Sequence, residues 1–201
     1  MDLKIVSVYS RKGGTGKTTI SYHLAKTLTN CFYMTNDDDG GETIIEQLGE
    51  DKASLVKNEI DNNFDYLIYD GGGFVDKMSL NFLLNSDSII IPTNLENRSL
   101  RSTRKLIDEL IDNHRVDKSK IIIVINKYKK SDKPEEEKEL ISSIFEEIEN
   151  IIFLRDTKIL ENMIDENKSF KEYSLKYPIF KKFTSKLEDE FNEIIKLVKW
   201  D

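Results

Sequence analysis

The segment Arg11-Lys12-Gly13-Gly14-Thr15-Gly16-Lys17-Thr18 constrains this chain more than any other. It follows a short β-branched run, residues 3–9, and precedes residues 18–28, which carry helical spacing. A strand that passes through a glycine-rich turn into a helix is the setting in which such a segment cradles phosphate. Glycines let the backbone curl so that successive N–H groups converge on phosphate oxygens, and the following helix adds the partial positive charge of its N-terminus. Lys17 is then expected to neutralise the β- and γ-phosphates of a nucleotide, and the Thr18 hydroxyl to ligate Mg²⁺.

Beyond the loop, apolar runs alternate with helical patterns. Residues 32–35, 66–69, 88–91, 121–125 and 151–154 read as strands, and their continuous apolar character suits strands buried on both faces. Helical spacing covers 42–62, 76–84, 98–113, 134–148, 157–166 and 179–199, and residues 37–41 read as an acidic turn. This alternation predicts an α/β fold: a doubly wound, mainly parallel sheet flanked by helices, in one domain spanning 1–201. With 38% hydrophobic and 33% charged residues, the chain falls among globular rather than disordered sequences.

Several function classes are disfavoured. One cysteine, Cys31, excludes an internal disulfide, and with only His23 and His114 beside it no zinc site is expected. No run approaches the ~20 apolar residues of a membrane span, and the first ten residues lack a leader pattern, so a cytoplasmic protein is expected. The net charge of −7 argues against indiscriminate attraction to DNA or acidic membrane, but leaves room for a local basic patch.

Metal-assisted phosphoryl transfer also needs carboxylates near the metal and the attacking water. Asp70 stands at the end of the strand 66–69, and Gly71, Gly72 and Gly73 after it leave room for a γ-phosphate. Asp37, Asp38 and Asp39 follow the second strand. Three adjacent carboxylates repel one another unless a cation sits among them. A solvated acidic turn is the alternative for any one of them.

The run from Lys12 to Thr19 resembles the deviant phosphate loop of the ParA/MinD superfamily of ATPases, and the likeness extends over nearly the whole chain. The resemblance implies ATP and Mg²⁺ as cofactors, with Lys12, Gly13, Gly14, Thr15, Gly16, Lys17, Thr18 and Thr19 around the nucleotide. It implies that Lys12 reaches across an ATP-bound homodimer to the partner's nucleotide, as an arginine finger does. By the same resemblance Thr18, Asp37 and Asp70 hold the metal, Asp37 orients the attacking water, and Asn126 reads the adenine edge. The family's Pro-Gln after the second aspartate is Gly40-Gly41 here, which leaves the register among Asp37, Asp38 and Asp39 open.

In length the chain resembles short plasmid-partition ParA proteins, since its first strand begins at residue 3 without a preceding helix-turn-helix. That likeness implies a DNA-segregation ATPase whose ATP-bound dimer coats DNA without sequence preference, on the nucleoid, until a centromere-binding adaptor stimulates hydrolysis. Residues 168–186 hold six lysines against one glutamate, and Lys181, Lys182 and Lys186 are the expected DNA contacts. The interleaved Phe170, Tyr173, Tyr177, Phe180 and Phe183 read as core. A second cluster, Arg98, Arg101, Arg104 and Lys105, suits a partner protein.

The main rival is a MinD-like ATPase on a membrane surface. Leu187, Phe191, Ile194, Ile195 and Val198 form an apolar stripe, but Glu188, Asp189, Glu190 and Glu193 beside it suit anionic lipid poorly, so the stripe reads as packing. Trp200 is the feature that favours the membrane. A ligase resembling dethiobiotin synthetase, and a module that holds ATP without hydrolysing it, are further alternatives.

Overall fold

Seven strands among the described residues form one fully parallel sheet, in the order β3-β2-β4-β1-β5-β6-β7. The strands are β1 (Lys4–Val8), β2 (Cys31–Thr35), β3 (Ala53–Leu55), β4 (Tyr66–Asp70), β5 (Ser88–Thr93), β6 (Ile121–Tyr128) and β7 (Asn150–Arg155). Helices connect them: α1 (Lys17–Thr27), α2 (Asp38–Leu48), α3 (Lys77–Asn85), α4 (Asn97–Asp108) and α5 (Pro134–Ile144), then α6 (Ile159–Asp165), α7 (Phe170–Lys176) and α8 (Lys181–Val198). The structure is a computed structural model that describes residues 2–56, 63–73, 77–129 and 132–199.

The central strands are apolar on both faces because each face meets a helical layer. In β6, Ile122 and Val124 enter a cluster with Ile20, Leu160, Phe170, Leu187 and Phe191, while Ile121, Ile123 and Ile125 enter the opposite cluster with Leu83, Leu106, Ile107 and Ile141. The alternation is the strand period of two, with α1, α6, α7 and α8 over one face and α3, α4 and α5 over the other. The C-terminal stripe packs as expected: Leu187, Phe191, Ile194, Ile195 and Val198 are all buried. Trp200 lies outside the described residues.

Three expectations need correction. The helical pattern at 42–62 does not run through: α2 ends at Leu48, where Gly49 takes φ 91° and its N–H closes on the Ile45 carbonyl. A left-handed glycine ends helices in this way, and β3 follows against β2; residues 57–62 lie outside the described residues. The acidic segment 37–41 is largely helical rather than a turn. Asp37 caps α2 by accepting from the Gly40 N–H at 3.1 Å. Between the patterns at 157–166 and 179–199 stands α7, started by a reciprocal Ser169–Glu172 capping box. No helix of the described residues is long and apolar enough to cross a membrane.

The strand order reverses at β1, whose neighbours β4 and β5 lead to opposite sides of the sheet. In open α/β sheets, ligands bind outside the carboxyl ends of the strands at such a reversal. The glycine-rich loop leaves β1 at that point.

Candidate nucleotide-binding site

The loop between β1 and α1 owes its shape to two glycines: Gly14 takes φ 73° and Gly16 takes φ 94°. A side chain is strained in this region. A Cβ on Gly16 would in addition overlap the Asn126 amide. Beneath the loop, Ser10 Oγ donates to the Lys12 carbonyl at 3.1 Å and lies 2.6 Å from Thr15 Oγ1. These bonds hold the backbone curl from inside.

Outside the curl lies a cavity of about 370 Å³. Gly13, Gly14, Gly16, Lys17, Thr18 and Thr19 line it from the loop and the first turn of α1, and Asp37 and Asp70 line it from the ends of β2 and β4. Gly71, Gly72 and Gly73 form a further wall. A Cβ on Gly71 would press on the Tyr9 and Tyr69 rings and one on Gly72 on the Asn36 amide, so the backbone at these two positions packs against its neighbours without room for side chains. Cationic loop, hydroxyl and two carboxylates thus converge from sequence positions as far apart as Lys17 and Asp70.

Four residues named from the sequence stand elsewhere. Thr15 is buried under the loop. Lys12 pairs with Glu96, the residue that precedes α4. Arg11 pairs with Glu109, just beyond α4. Asn126 is 6% exposed, and its amide is spent on the backbone: Nδ2 donates to the Thr15 carbonyl at 2.8 Å, and Oδ1 accepts from the Lys127 N–H at 2.9 Å. In this arrangement it fastens the loop from below and is not among the residues that line the cavity; the resemblance implied a residue that reads the adenine edge. The three adjacent aspartates also separate. Asp37 faces the cavity, Asp38 is exposed, and the side chain of Asp39 lies outside the described residues.

Asp70 is the most perturbed group in the cavity. Burial raises its pKa to about 6, against the opposing pull of the Tyr33 hydroxyl, of Thr18, of the Lys17 charge and of Ser21. Tyr33 Oη donates to Asp70 Oδ2 at 2.8 Å. Thr18 and Ser21 stand close enough to favour the carboxylate, yet neither forms a hydrogen bond of normal geometry with it, and Asp70 Oδ1 has no partner among the described residues. A buried carboxylate oxygen left open beside a threonine hydroxyl fits a hard divalent cation such as Mg²⁺, which takes oxygen ligands.

Sequence reasoning missed four residues here. Tyr33 and Asn36 come from β2 and its end; Asn36 accepts from the Gly72 N–H at 2.6 Å and donates to Ser79 Oγ at 3.2 Å, joining β2 to the glycine wall. Lys127, at φ 56°, and Glu161 line the far side of the cavity with a loose 3.7 Å pairing between them. Of these only Lys127 carried a signal, its place directly after Asn126 where the apolar run of β6 ends.

The chain matches, over residues 6–176, the family described as the CobQ/CobB/MinD/ParA nucleotide binding domain. It belongs to that family. No curated protein sequence matches it. Among solved structures, apo McdA from Cyanothece superposes with a TM-score of 0.72 at 14% identity, covering 98% of this chain and 99% of that one. A plasmid partition protein from Borrelia burgdorferi bound to AMPPNP gives 0.65 at 20% identity, over 96% and 98%. MinD of Aquifex aeolicus, in its complex with MinC, gives 0.70 at 16% identity, over 98% and 96%. At such identities these likenesses establish the ParA/MinD fold of this chain.

Proposed function

We propose that this chain is a Mg²⁺-dependent ATPase of the partition type, switched between monomer and sandwich dimer by its nucleotide. The observation that carries the reading is the division of labour between two lysines of one loop. Lys17 lines the cavity with Thr18, Asp37 and Asp70, while Lys12 lies outside it against Glu96. Lys17 and the loop N–H groups bind the phosphates. Thr18, Asp70 and Asp37 would hold Mg²⁺, which when bound offsets phosphate charge. Asp37, anchored by its own N–H on Thr35 Oγ1 at 3.1 Å, orients the water whose oxygen bonds to the γ-phosphorus as the bond to ADP breaks.

In the dimer Lys12 leaves Glu96 and stabilises charge on the partner's transferred phosphoryl group. The exposed pair it abandons contributes little, about 0–1 kcal/mol, so nucleotide-driven dimerisation can break it. Lys12→Ala is expected to bind ATP with unchanged affinity yet to stay monomeric with ATP and lose turnover. Light scattering with and without ATP reads the first effect and phosphate release the second. Dimerisation of Lys12→Ala to the normal extent would remove this role.

The platform for the dimer is DNA, bound without sequence preference, and an adaptor protein stimulates hydrolysis and release. Lys181, Lys182 and Lys186 are exposed on the first half of α8 and make no ion pair among the described residues. Lys176, by contrast, is tied to Glu166. In the second cluster Arg104 is tied to Asp108 and Glu147, which leaves Arg98, Arg101 and Lys105 exposed for a partner. Charge reversal of Lys181 and Lys182 is expected to weaken DNA binding at least about tenfold and to flatten its salt dependence by about one unit of slope per lysine. Unchanged affinity and slope in a filter-binding titration would move DNA elsewhere.

One observation favours a second reading, a membrane-surface platform. Leu175, Ile179, Phe180 and Phe183 are 40–87% exposed beside the same lysines, contrary to the expectation that Phe180 and Phe183 are core. An apolar ridge among cations suits anionic lipid better than a phosphodiester backbone. Sedimentation of the ATP-loaded protein with vesicles containing anionic lipid, against DNA binding under the same conditions, separates the two.

A further inference from the structure

Strand β2 carries a phenol where its packing asks only for bulk. Tyr33 is wholly buried in the cluster that contains Val8, Ile20, Ala53 and Ile68. A hydroxyl in such surroundings must find a partner or lose its hydration without return. Its partner is Asp70. The register explains how. Thr35 is paired with Asp70 across β2 and β4, and Tyr33, two residues earlier, shares the face of Thr35 and is paired with Ile68. From that diagonal position only a long side chain reaches the carboxylate.

The two β2 residues act on different parts of Asp70. Thr35 Oγ1 donates to its backbone carbonyl at 3.0 Å, and Tyr33 Oη donates to carboxylate Oδ2 at 2.8 Å. Backbone and side chain are therefore both fixed from one strand. The remaining oxygen, Oδ1, is the one without a partner among the described residues.

We propose that Tyr33 is a positioning residue for the divalent cation, holding Asp70 by Oδ2 so that Oδ1 stays open to the metal. This rests on the reading of Asp70 as a metal-holding carboxylate. A tyrosine that only fills the core would be replaced by phenylalanine with no effect on metal. One that positions Asp70 affects metal affinity and leaves metal-free nucleotide binding alone.

The test is titration of Mg²⁺ into the full chain with a fluorescent ATP analogue, after measuring analogue affinity in EDTA. Y33F is expected to keep its EDTA affinity within about twofold while the Mg²⁺ concentration at half-effect rises about tenfold, the scale of a lost hydrogen bond to a charged group. An unchanged Mg²⁺ midpoint, or equal losses with and without Mg²⁺, would overturn the assignment. Asp70→Asn separates the two layers of argument: if it keeps the full Mg²⁺ response, the metal reading of Asp70 fails whatever Y33F does. The double variant closes the cycle, for Y33F must add nothing to the Mg²⁺ response once Asp70 is asparagine, and additive effects would also overturn the proposal.

Discussion

Lys17→Ala is expected to weaken ATP binding by at least about a hundredfold while costing the nucleotide-free protein little stability. The two halves of this result have separate causes. Lys17 lines the cavity and makes no ion pair or side-chain hydrogen bond with the described residues, so its removal takes little from the fold. Its ammonium is instead available to the β- and γ-phosphates, and each charge-assisted hydrogen bond there contributes about 1.5–3 kcal/mol, or about ten- to a hundredfold in affinity. Backbone N–H groups of the loop remain in the variant and set a floor to the loss. Calorimetric titration with ATP, paired with thermal unfolding in its absence, checks both halves. Retained micromolar binding would refute the phosphate-loop assignment.

The loop was legible because its demands are local. Gly14 and Gly16 stand where φ is positive, Lys17 opens a helix, and a strand precedes them, all within one short stretch. The strands β1, β4, β5 and β6 were legible because burial on both faces leaves a continuous apolar run. Where a feature depends on what lies across the sheet, the linear pattern is mute. The three-residue β3 exists because β2 offers it an edge, and α7 is too short to show a period. Tyr33 reaches Asp70 over 37 positions, Lys12 meets Glu96 over 84, and Arg11 meets Glu109 over 98. Asn126 shows the same limit from the other side. Its identity and its place directly after an apolar run were plain, but only the fold reveals that its amide is engaged by the loop above it.

Asp70→Asn is expected to make the nucleotide-free protein more stable at pH 7 while abolishing its response to Mg²⁺. The sign follows from proton binding. The unfolded chain releases the Asp70 proton near pH 3.8, and the folded chain, in which burial dominates over Tyr33, Thr18, Lys17 and Ser21, releases it near 6. Between those values the folded state holds more protons, so stability falls as pH rises, by about 3 kcal/mol in all. The variant escapes that loss: urea unfolding in EDTA should show a gain of about 2–3 kcal/mol at pH 7 that shrinks towards zero near pH 4.

A second buried group contributes a slope of the opposite sign. His23 is packed among Tyr22, Phe170 and Phe191, its Nε2 lies 3.1 Å from the Leu160 carbonyl, and Nδ1 has no partner among the described residues. Burial, opposed by the Leu160 carbonyl and assisted by the charge of Lys26, lowers its pKa from 6.5 to about 4. Here the unfolded state holds more protons between pH 4 and 6.5, so stability falls as pH falls, again by about 3 kcal/mol. In the wild type the two slopes oppose each other across pH 4–6. Asp70→Asn leaves His23 alone, so the variant should lose stability on acidification more steeply than the wild type. A variant no more stable than wild type at pH 7 would mean that Asp70 is relieved of its charge or its burial by some other group. A loss of about 3 kcal/mol is a large part of the 5–15 kcal/mol that holds a typical domain together. On the proposed reading, a carboxylate kept in the core against such a cost is explained by the cation its open oxygen would hold, not by what it does for the fold.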